Sequence, residues 1–141
     1  MQQIRVVALC IIKNKGKILV FEGRDQVKKE TFYRPLGGGV EFGERGEETI
    51  KREFGEEINA KVKNIKYLKT LENIFTYNGM PCHEIYFIFS GELADKSLCE
   101  KKEIIVIDDK GKFKAVWKPI SDFRKGKLIL YPKGLLDVIK N

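Results

Sequence analysis

Histidine and cysteine are scarce in this chain of 141 residues, which has one histidine, His83, and three cysteines. Cys10, Cys82 and Cys99 are dispersed, and none of them forms a C-x-x-C pair. Zinc and copper sites are built mainly from nitrogen and sulfur ligands, so the sequence argues against a function based on either metal. An odd number of scattered cysteines also argues against a stabilising disulfide and favours a reducing compartment, so we expect a cytoplasmic protein.

Long apolar segments are also missing. The longest apolar run, residues 6–12, is far shorter than the ~20 residues needed to cross a bilayer. The N-terminus lacks the small-residue cleavage site of a secretory signal peptide, and no repeat, linker or low-complexity segment is present. We therefore expect one globular domain over residues 1–141, with no membrane partner.

Positive charge is in excess, with a formal net charge of +7 at pH 7. Such a field raises the local concentration of anionic ligands, including polyphosphates and nucleic acids. Arg34 stands before a run of three glycines, residues 37–39, which favours a loop, and its side chain could contact phosphate groups. The same lysine excess is also typical of a surface adapted for solubility, so charge alone does not identify a substrate.

Hydrophobic periodicity predicts a mixed α/β fold. Apolar and aromatic segments bounded by turn signals predict strands at residues 5–12, 17–21, 61–75, 84–93 and 112–118, with turns at residues 14–16 and 77–80. Ile50, Phe54 and Ile58 recur every four residues, which predicts a helix over residues 47–58 with one buried stripe. A short closing helix is expected at residues 135–140. We expect a central mixed sheet with the first helix on one face and the C-terminal helix on the other.

Three glutamates share one side of the first predicted helix. At about 100° per residue, Glu53, Glu56 and Glu57 lie within roughly 100° of one another, beside the apolar stripe. Carboxylates three and four residues apart repel each other, so this face favours a bound cation. Carboxylate oxygens, with a carbonyl and water, suit Mg²⁺ or Mn²⁺. The simpler interpretation is a solvated acidic face with charge pairs along the helix.

A longer pattern decides between these two interpretations. Residues 38–60 read GGVEFGERGEETIKREFGEEINA and contain the spacing G-x5-E-x7-R-E-x-x-E-E. This segment resembles the Nudix box, the signature of hydrolases that cut a pyrophosphate linkage joined to another group. Asn59 stands where that family usually has glycine, and asparagine is the next most tolerant residue of left-handed backbone angles. The resemblance favours the metal site and implies a Nudix-like α/β/α sandwich.

The resemblance also implies roles for individual residues. Glu53, Glu56 and Glu57 match the metal-binding glutamates of the family, and Arg52 matches an arginine that orients a neighbouring glutamate. Glu44 matches an acidic residue that is either a metal ligand or a support, and Gly38 matches a glycine whose carbonyl often faces the metal. The expected cofactor is Mg²⁺, with Mn²⁺ as the alternative.

The general base has two candidate locations by the same resemblance. It is either Glu53 itself or a carboxylate in a later loop, which in this chain would be residues 97–112. That loop offers Glu100, Glu103, Asp108 and Asp109. The sequence does not choose among them.

Candidate substrate contacts lie beside the box and beyond it. Arg34, Gly37 and Gly39 adjoin its first residue, and Tyr77 follows its end by 17 residues. In the family, a tyrosine at about that distance marks some diadenosine polyphosphate hydrolases. The substrate is expected to be a nucleoside diphosphate linked to another moiety, in the nucleotide, dinucleoside polyphosphate, ADP-ribose or nucleotide-sugar class.

Two functions of different classes are compatible with the chain. The first is a metal-dependent hydrolase in which an activated water attacks phosphorus. The alternative is a basic nucleotide- or RNA-binding module that keeps the Nudix fold without catalysis, although every charged position of the box is present. Hydrolysis of a capped RNA end is a third option. The oligomeric state, including a dimer, is left open.

Overall fold

A seven-stranded mixed sheet forms the centre of the protein. The computed structural model describes residues 2–140. Its strands are β1 (Ile4–Asn14), β2 (Lys17–Asp25), β3 (Glu30–Gly39), β4 (Val62–Tyr77), β5 (Met80–Leu93), β6 (Glu103–Asp108) and β7 (Gly111–Pro119). Its helices are α1 (Gly46–Ile58) and α2 (Ile120–Arg124), and 3-10 turns span Lys96–Glu100 and Leu135–Asp137.

Strands β1 and β3 lie at the middle of the sheet, in the order β4-β5-β1-β3-β2-β7-β6. β1 runs parallel to β5 and antiparallel to β3, and the other pairings are antiparallel. The β1–β2 and β4–β5 connections are tight turns, as predicted from residues 14–16 and 77–80. The last residues of β3 therefore sit in the centre of the fold, where the box begins.

Each face of the sheet carries a hydrophobic core. Ala8, Cys10 and Ile12 of β1 face α1, which buries Ile50 and Phe54 completely. Val7, Leu9 and Ile11 point to the opposite face. There they pack with Ile120, Phe123, Leu135 and Ile139 from the C-terminal segment. This alternation follows from the two-residue period of a strand, and it confirms the predicted α/β/α arrangement.

Helix α1 begins and ends with recognisable capping interactions. A carboxylate oxygen of Glu48 accepts a hydrogen bond from the backbone N–H of Arg45 at 2.8 Å, as part of a capping box. Asn59 ends the helix with φ 51° and ψ 43°, the left-handed conformation expected at this position. Asparagine therefore performs the backbone role of the usual glycine.

Three expectations about local structure are wrong. Residues 135–140 form only the 3-10 turn Leu135–Asp137, because Leu135 and Ile139 are held in the core without a continuous helix. The three glycines lie in β3, paired with β1, and not in a loop. Residues 97–112 contain β6, whose apolar residues Ile104 and Val106 pack under α1, so this segment is not one continuous loop.

Among residues 2–140, no helix is long and apolar enough to cross a membrane.

Candidate metal and catalytic site

The guanidinium of Arg52 is the centre of the polar cluster at the start of α1. Its Nε and Nη2 donate to the two carboxylate oxygens of Glu44 at 2.8 and 3.0 Å. Nη2 also donates to the carbonyl of Gly39 at 3.1 Å, and Nη1 donates to Oε1 of Glu53 at 2.9 Å. The planar fork of arginine makes this set of bonds possible, whereas a lysine ammonium could not span it. Arg52 thus ties α1 to the end of β3.

Glu44 is fully engaged by protein donors. Besides Arg52, its Oε1 accepts from the hydroxyl of Thr49 at 2.6 Å and from the backbone N–H of Glu41 at 3.2 Å. The hydrogen bonds from Arg52, and then the one from Thr49, lower the pKa of Glu44 to about 2. Glu44 is therefore an ionised anchor for Arg52. Of the two roles that the family allows at this position, the geometry favours the supporting one.

Glu53 lies directly over Gly38. A Cβ atom built on Gly38 would lie 2.4 Å from the carboxyl carbon of Glu53 and 2.5 Å from its Oε1, which is far too close for any side chain. Burial raises the pKa of Glu53, while its hydrogen bond to Arg52 opposes the rise. Arg52 holds Oε1 of Glu53 through the hydrogen bond from its Nη1.

Glu57 carries an unsatisfied acceptor. Its Oε1 is buried and has no hydrogen-bond partner within residues 2–140. Burial, followed by the negative charge of Glu53, raises the pKa of Glu57 to about 8, and the nearby charge of Arg34 only partly opposes this rise. Ionisation of a carboxyl group in this position costs free energy unless a cation lies beside it.

Glu56 completes the acidic group from the exposed side of α1. Its side chain is 61% exposed, and its Oε2 is 3.5 Å from Nη1 of Arg52. Within residues 2–140, no group of three or more acidic, histidine or cysteine side chains has the geometry of an assembled metal site. The donor set nevertheless fits a hard divalent cation, because Glu53 and Glu57 repel each other and Glu57 has the buried, unpartnered oxygen.

The substrate-binding candidates occupy different surroundings. Gly37 is buried, and a Cβ there would lie 2.0 Å from the carbonyl oxygen of Ala8, so glycine is needed for the close approach of β1 and β3. Arg34 is electrostatically coupled to Glu57, and its Nε is buried without a hydrogen-bond partner among the described residues. Tyr77 lies apart from the box, with its hydroxyl donating to the carbonyl of Arg24 at 3.3 Å and its ring against Phe32.

Comparison with known proteins identifies the family. A profile described as the NUDIX domain matches residues 1–137. The chain belongs to the Nudix family.

Solved structures of Nudix proteins share the fold. The MutT NUDIX hydrolase from Burkholderia pseudomallei is 19% identical with a TM-score of 0.69, covering 99% of this chain and 100% of its own. A NUDIX hydrolase from Nitrosomonas europaea is 19% identical with a TM-score of 0.68, covering 96% and 86%. A structure described as an ADP compounds hydrolase is 16% identical with a TM-score of 0.58, covering 88% and 63%. At these identities the likeness establishes the fold alone.

The general-base candidates in residues 97–112 differ in their surroundings. Asp108, the last residue of β6, contributes to the raised pKa of Glu57, after burial and the charge of Glu53. Glu103 lies at the start of the same strand, with its Oε2 3.9 Å from the ammonium of Lys114. The charge of Asp108 is therefore coupled to the box through Glu57.

A second polar group near the Nudix box is not apparent from sequence reasoning. Glu84 is buried, accepts a hydrogen bond from the hydroxyl of Tyr86 at 2.6 Å, and pairs with Arg5 at 2.9 Å. Its one sequence signal is a charged residue at the start of an aromatic strand. The distance of 79 residues between Arg5 and Glu84 gives no local pattern by which to connect them.

Proposed function

We propose that this Nudix pyrophosphohydrolase is metal-dependent and cleaves the P–O–P linkage of a nucleoside diphosphate joined to another moiety. The observation that carries the metal dependence is the buried, unpartnered Oε1 of Glu57 beside the charge of Glu53. An acidic pair of this kind fits a divalent cation better than it fits a non-catalytic surface. Mg²⁺ is the proposed cofactor, with Mn²⁺ as the alternative.

Glu53, Glu56 and Glu57 are the proposed metal-binding side chains, and Gly38 is proposed to contribute its carbonyl. A bound Mg²⁺ or Mn²⁺ would neutralise phosphate charge and lower the pKa of a bound water. The chain's own contribution is positioning. Arg52 holds Glu53 through Oε1, and Glu44 holds Arg52 through two hydrogen bonds to its guanidinium. This arrangement fixes the carboxylates before substrate binds.

Glu53 is the proposed general base, which accepts the proton of the attacking water as a phosphate group leaves. Its position over Gly38 and its hydrogen bond to Arg52 support this role, because both restrict the carboxylate to one place. Asp108 is the rival base, since its charge is coupled to Glu57. Glu53→Gln and Asp108→Asn therefore form a discriminating pair of variants.

The experiment measures hydrolysis with Mg²⁺ and then Mn²⁺ in a coupled phosphate-release assay. Pyrophosphatase or alkaline phosphatase converts the released pyrophosphate or phosphomonoester to inorganic phosphate. The panel contains nucleoside triphosphates, ADP-ribose, nucleotide sugars, dinucleoside polyphosphates and capped RNA. We expect Glu53→Gln to lower kcat by roughly a hundredfold or more, with Asp108→Asn having a much smaller effect. Glu47→Gln is the matched control, because Glu47 is an exposed glutamate in the first turn of the same helix.

The outcomes separate the two function classes. Turnover that persists in Glu53→Gln but disappears in Asp108→Asn would move the base to Asp108. An absence of turnover on the whole panel, together with tight and salt-sensitive RNA binding, would favour the non-catalytic binding module instead.

Three further expectations from the sequence remain predictions. They are a single Nudix domain over residues 1–141, a cytoplasmic location, and a role for Tyr77 in contacting substrate. The solved ADP compounds hydrolase supports placing ADP-ribose in the panel, and Tyr77→Ala with that panel tests the tyrosine.

A further inference from the structure

A partly buried ion pair lies on the sheet outside the Nudix box. The Glu84 side chain is 8% exposed, and its Oε2 accepts a hydrogen bond from Nη1 of Arg5 at 2.9 Å. Its Oε1 accepts from the hydroxyl of buried Tyr86 at 2.6 Å. Both oxygens are therefore in use, and Glu84 holds the guanidinium of Arg5 in one orientation. Arg5 itself is 56% exposed.

Arg5 lies against the same glycine that binds Arg52. A Cβ atom built on Gly39 would lie 3.2 Å from Nη2 of Arg5, while the carbonyl of Gly39 accepts from Nη2 of Arg52 at 3.1 Å. By the alternation of β1, Arg5 lies on the face of Val7, opposite α1. The end of β3 at Gly39 therefore separates its exposed guanidinium from the cluster around Glu53. Any larger residue at Gly39 would press on Arg5.

Arg5 keeps unused donors in this position. Within residues 2–140, Glu84 is its polar partner through Nη1, so Nη2 and Nε remain available to a ligand. Arg34 adds a second positive charge nearby, with a buried and unpartnered Nε. The charges of Arg34 and Arg5 both act on Tyr86, where they oppose the effects of burial and of the Glu84 hydrogen bond. Because the charge of Arg34 also acts on Glu57, the positive charge open to a ligand is carried mainly by the exposed edge of Arg5.

We propose that Arg5, held by Glu84 and Tyr86, binds a phosphate oxygen of the substrate across the end of β3 from the carboxylate cluster. This inference rests on the proposed pyrophosphatase function and adds a binding subsite to it. A fixed guanidinium with a free N–H edge recognises an oxyanion through charge-assisted bonds. Glu84 is a positioning residue that acts through Arg5.

The first measurement is calorimetric binding of inorganic pyrophosphate in the presence of Mg²⁺. Hydrogen bonds to charged groups of this kind support an expected loss of about 10- to 100-fold in affinity for Arg5→Ala. Arg5→Lys should recover only part of it, because lysine keeps the charge but not the fork. Lys96→Ala is the matched control, since Lys96 is 61% exposed and pairs with Glu92 near the far end of β5.

Two further variants separate binding from folding. Arg5→Ala leaves Glu84 buried without its ion-pair partner, so the Arg5→Ala/Glu84→Gln double variant removes both charges and should fold while still binding pyrophosphate weakly. Glu84→Gln alone should weaken binding less than Arg5→Ala does. With the best substrate of the panel, Arg5→Ala should raise KM by the same 10- to 100-fold while kcat changes by less than about threefold.

Three results would overturn the subsite. The first is a wild-type protein that does not bind pyrophosphate. The second is an Arg5→Ala variant that binds pyrophosphate as well as Lys96→Ala does. The third is an Arg5→Ala variant that loses affinity for nucleosides but binds pyrophosphate as the wild type does. Because this binding does not require turnover, the two proposals fail separately. Arg5-dependent binding without hydrolysis would refute the proposed function alone, and hydrolysis with an Arg5-independent KM would refute the subsite alone.

Discussion

Replacement of Gly38 by alanine tests whether the position of Glu53 controls catalysis. The new Cβ would lie 2.4 Å from the carboxyl carbon of Glu53, 2.5 Å from its Oε1 and 2.8 Å from its Oε2, whereas ordinary contacts begin at 3.4 Å. The glutamate must therefore move by roughly an ångström. Its hydrogen bond from Nη1 of Arg52, now 2.9 Å long, is broken by that movement.

The expected consequence is selective loss of catalysis. A displacement of about 1 Å in a positioned group can reduce turnover by about a hundredfold, so kcat should fall by that factor with Mg²⁺. The free energy of unfolding should change by less than about 1 kcal/mol, since Glu53 can rotate toward solvent. Phosphate release and urea denaturation of the same preparations measure the two effects.

Gly55→Ala is the matched control in the same box. A Cβ on Gly55 would meet no atom within 4 Å, and the residue lies exposed inside α1. Alanine should raise the free energy of unfolding by roughly 1 kcal/mol through helix propensity, with kcat unchanged. A Gly38→Ala variant with normal kcat would refute the positional argument, and so would one that is active in proportion to its folded fraction.

Other predictions concern the box helix. Arg52→Lys should lower kcat by roughly 10- to 100-fold, because one ammonium cannot replace the bonds to Glu44, Gly39 and Glu53; unchanged kcat in the phosphate-release assay would contradict it. Burial first, then Glu53, raises the pKa of Glu57 from 4.5 to about 8 in the folded state. The metal-free protein should therefore lose stability as pH rises from about 4.5 to about 8, on the order of 2 kcal/mol after allowance for partial exposure. Glu57→Gln should flatten that profile in urea titrations with a chelator, and an unaltered slope would show that Glu57 is not its cause. Phe54→Ala should cost about 3–5 kcal/mol of unfolding free energy, since Phe54 is fully buried; a urea midpoint near that of the parent would contradict this value.

Features that depend on short stretches of sequence were predictable. The four-residue recurrence of Ile50 and Phe54 predicts α1, and the structure buries both residues completely. Asn59 was expected to take left-handed angles and does so, because a helix end imposes its backbone conformation locally. The turns at residues 14–16 and 77–80 follow from the same kind of short-range signal.

Features set by distant partners were not predictable. A run of three glycines favours a loop, but pairing with β1 draws residues 37–39 into the sheet and leaves Gly37 no room for a side chain. Likewise, the resemblance implies a loop at residues 97–112, but β6 forms there by pairing with β7 and by packing Ile104 and Val106 under α1. The parallel pairing of β1 with β5 is what places Arg5 opposite Glu84. Such contacts are absent from any local window of the sequence.

The hydrogen bonds divide the acidic residues of the box into two kinds. Glu44 has its oxygens occupied by Arg52, Thr49 and a backbone N–H, so it stabilises the arginine and offers little to an ion. Glu57 has the opposite character, with a buried oxygen that no protein donor reaches within residues 2–140. Glu53 lies between these extremes, because Arg52 takes only Oε1. Arg52 can thus hold Glu44 and Glu53 in place without neutralising all the negative charge of the box glutamates. A divalent cation would neutralise the remaining charge.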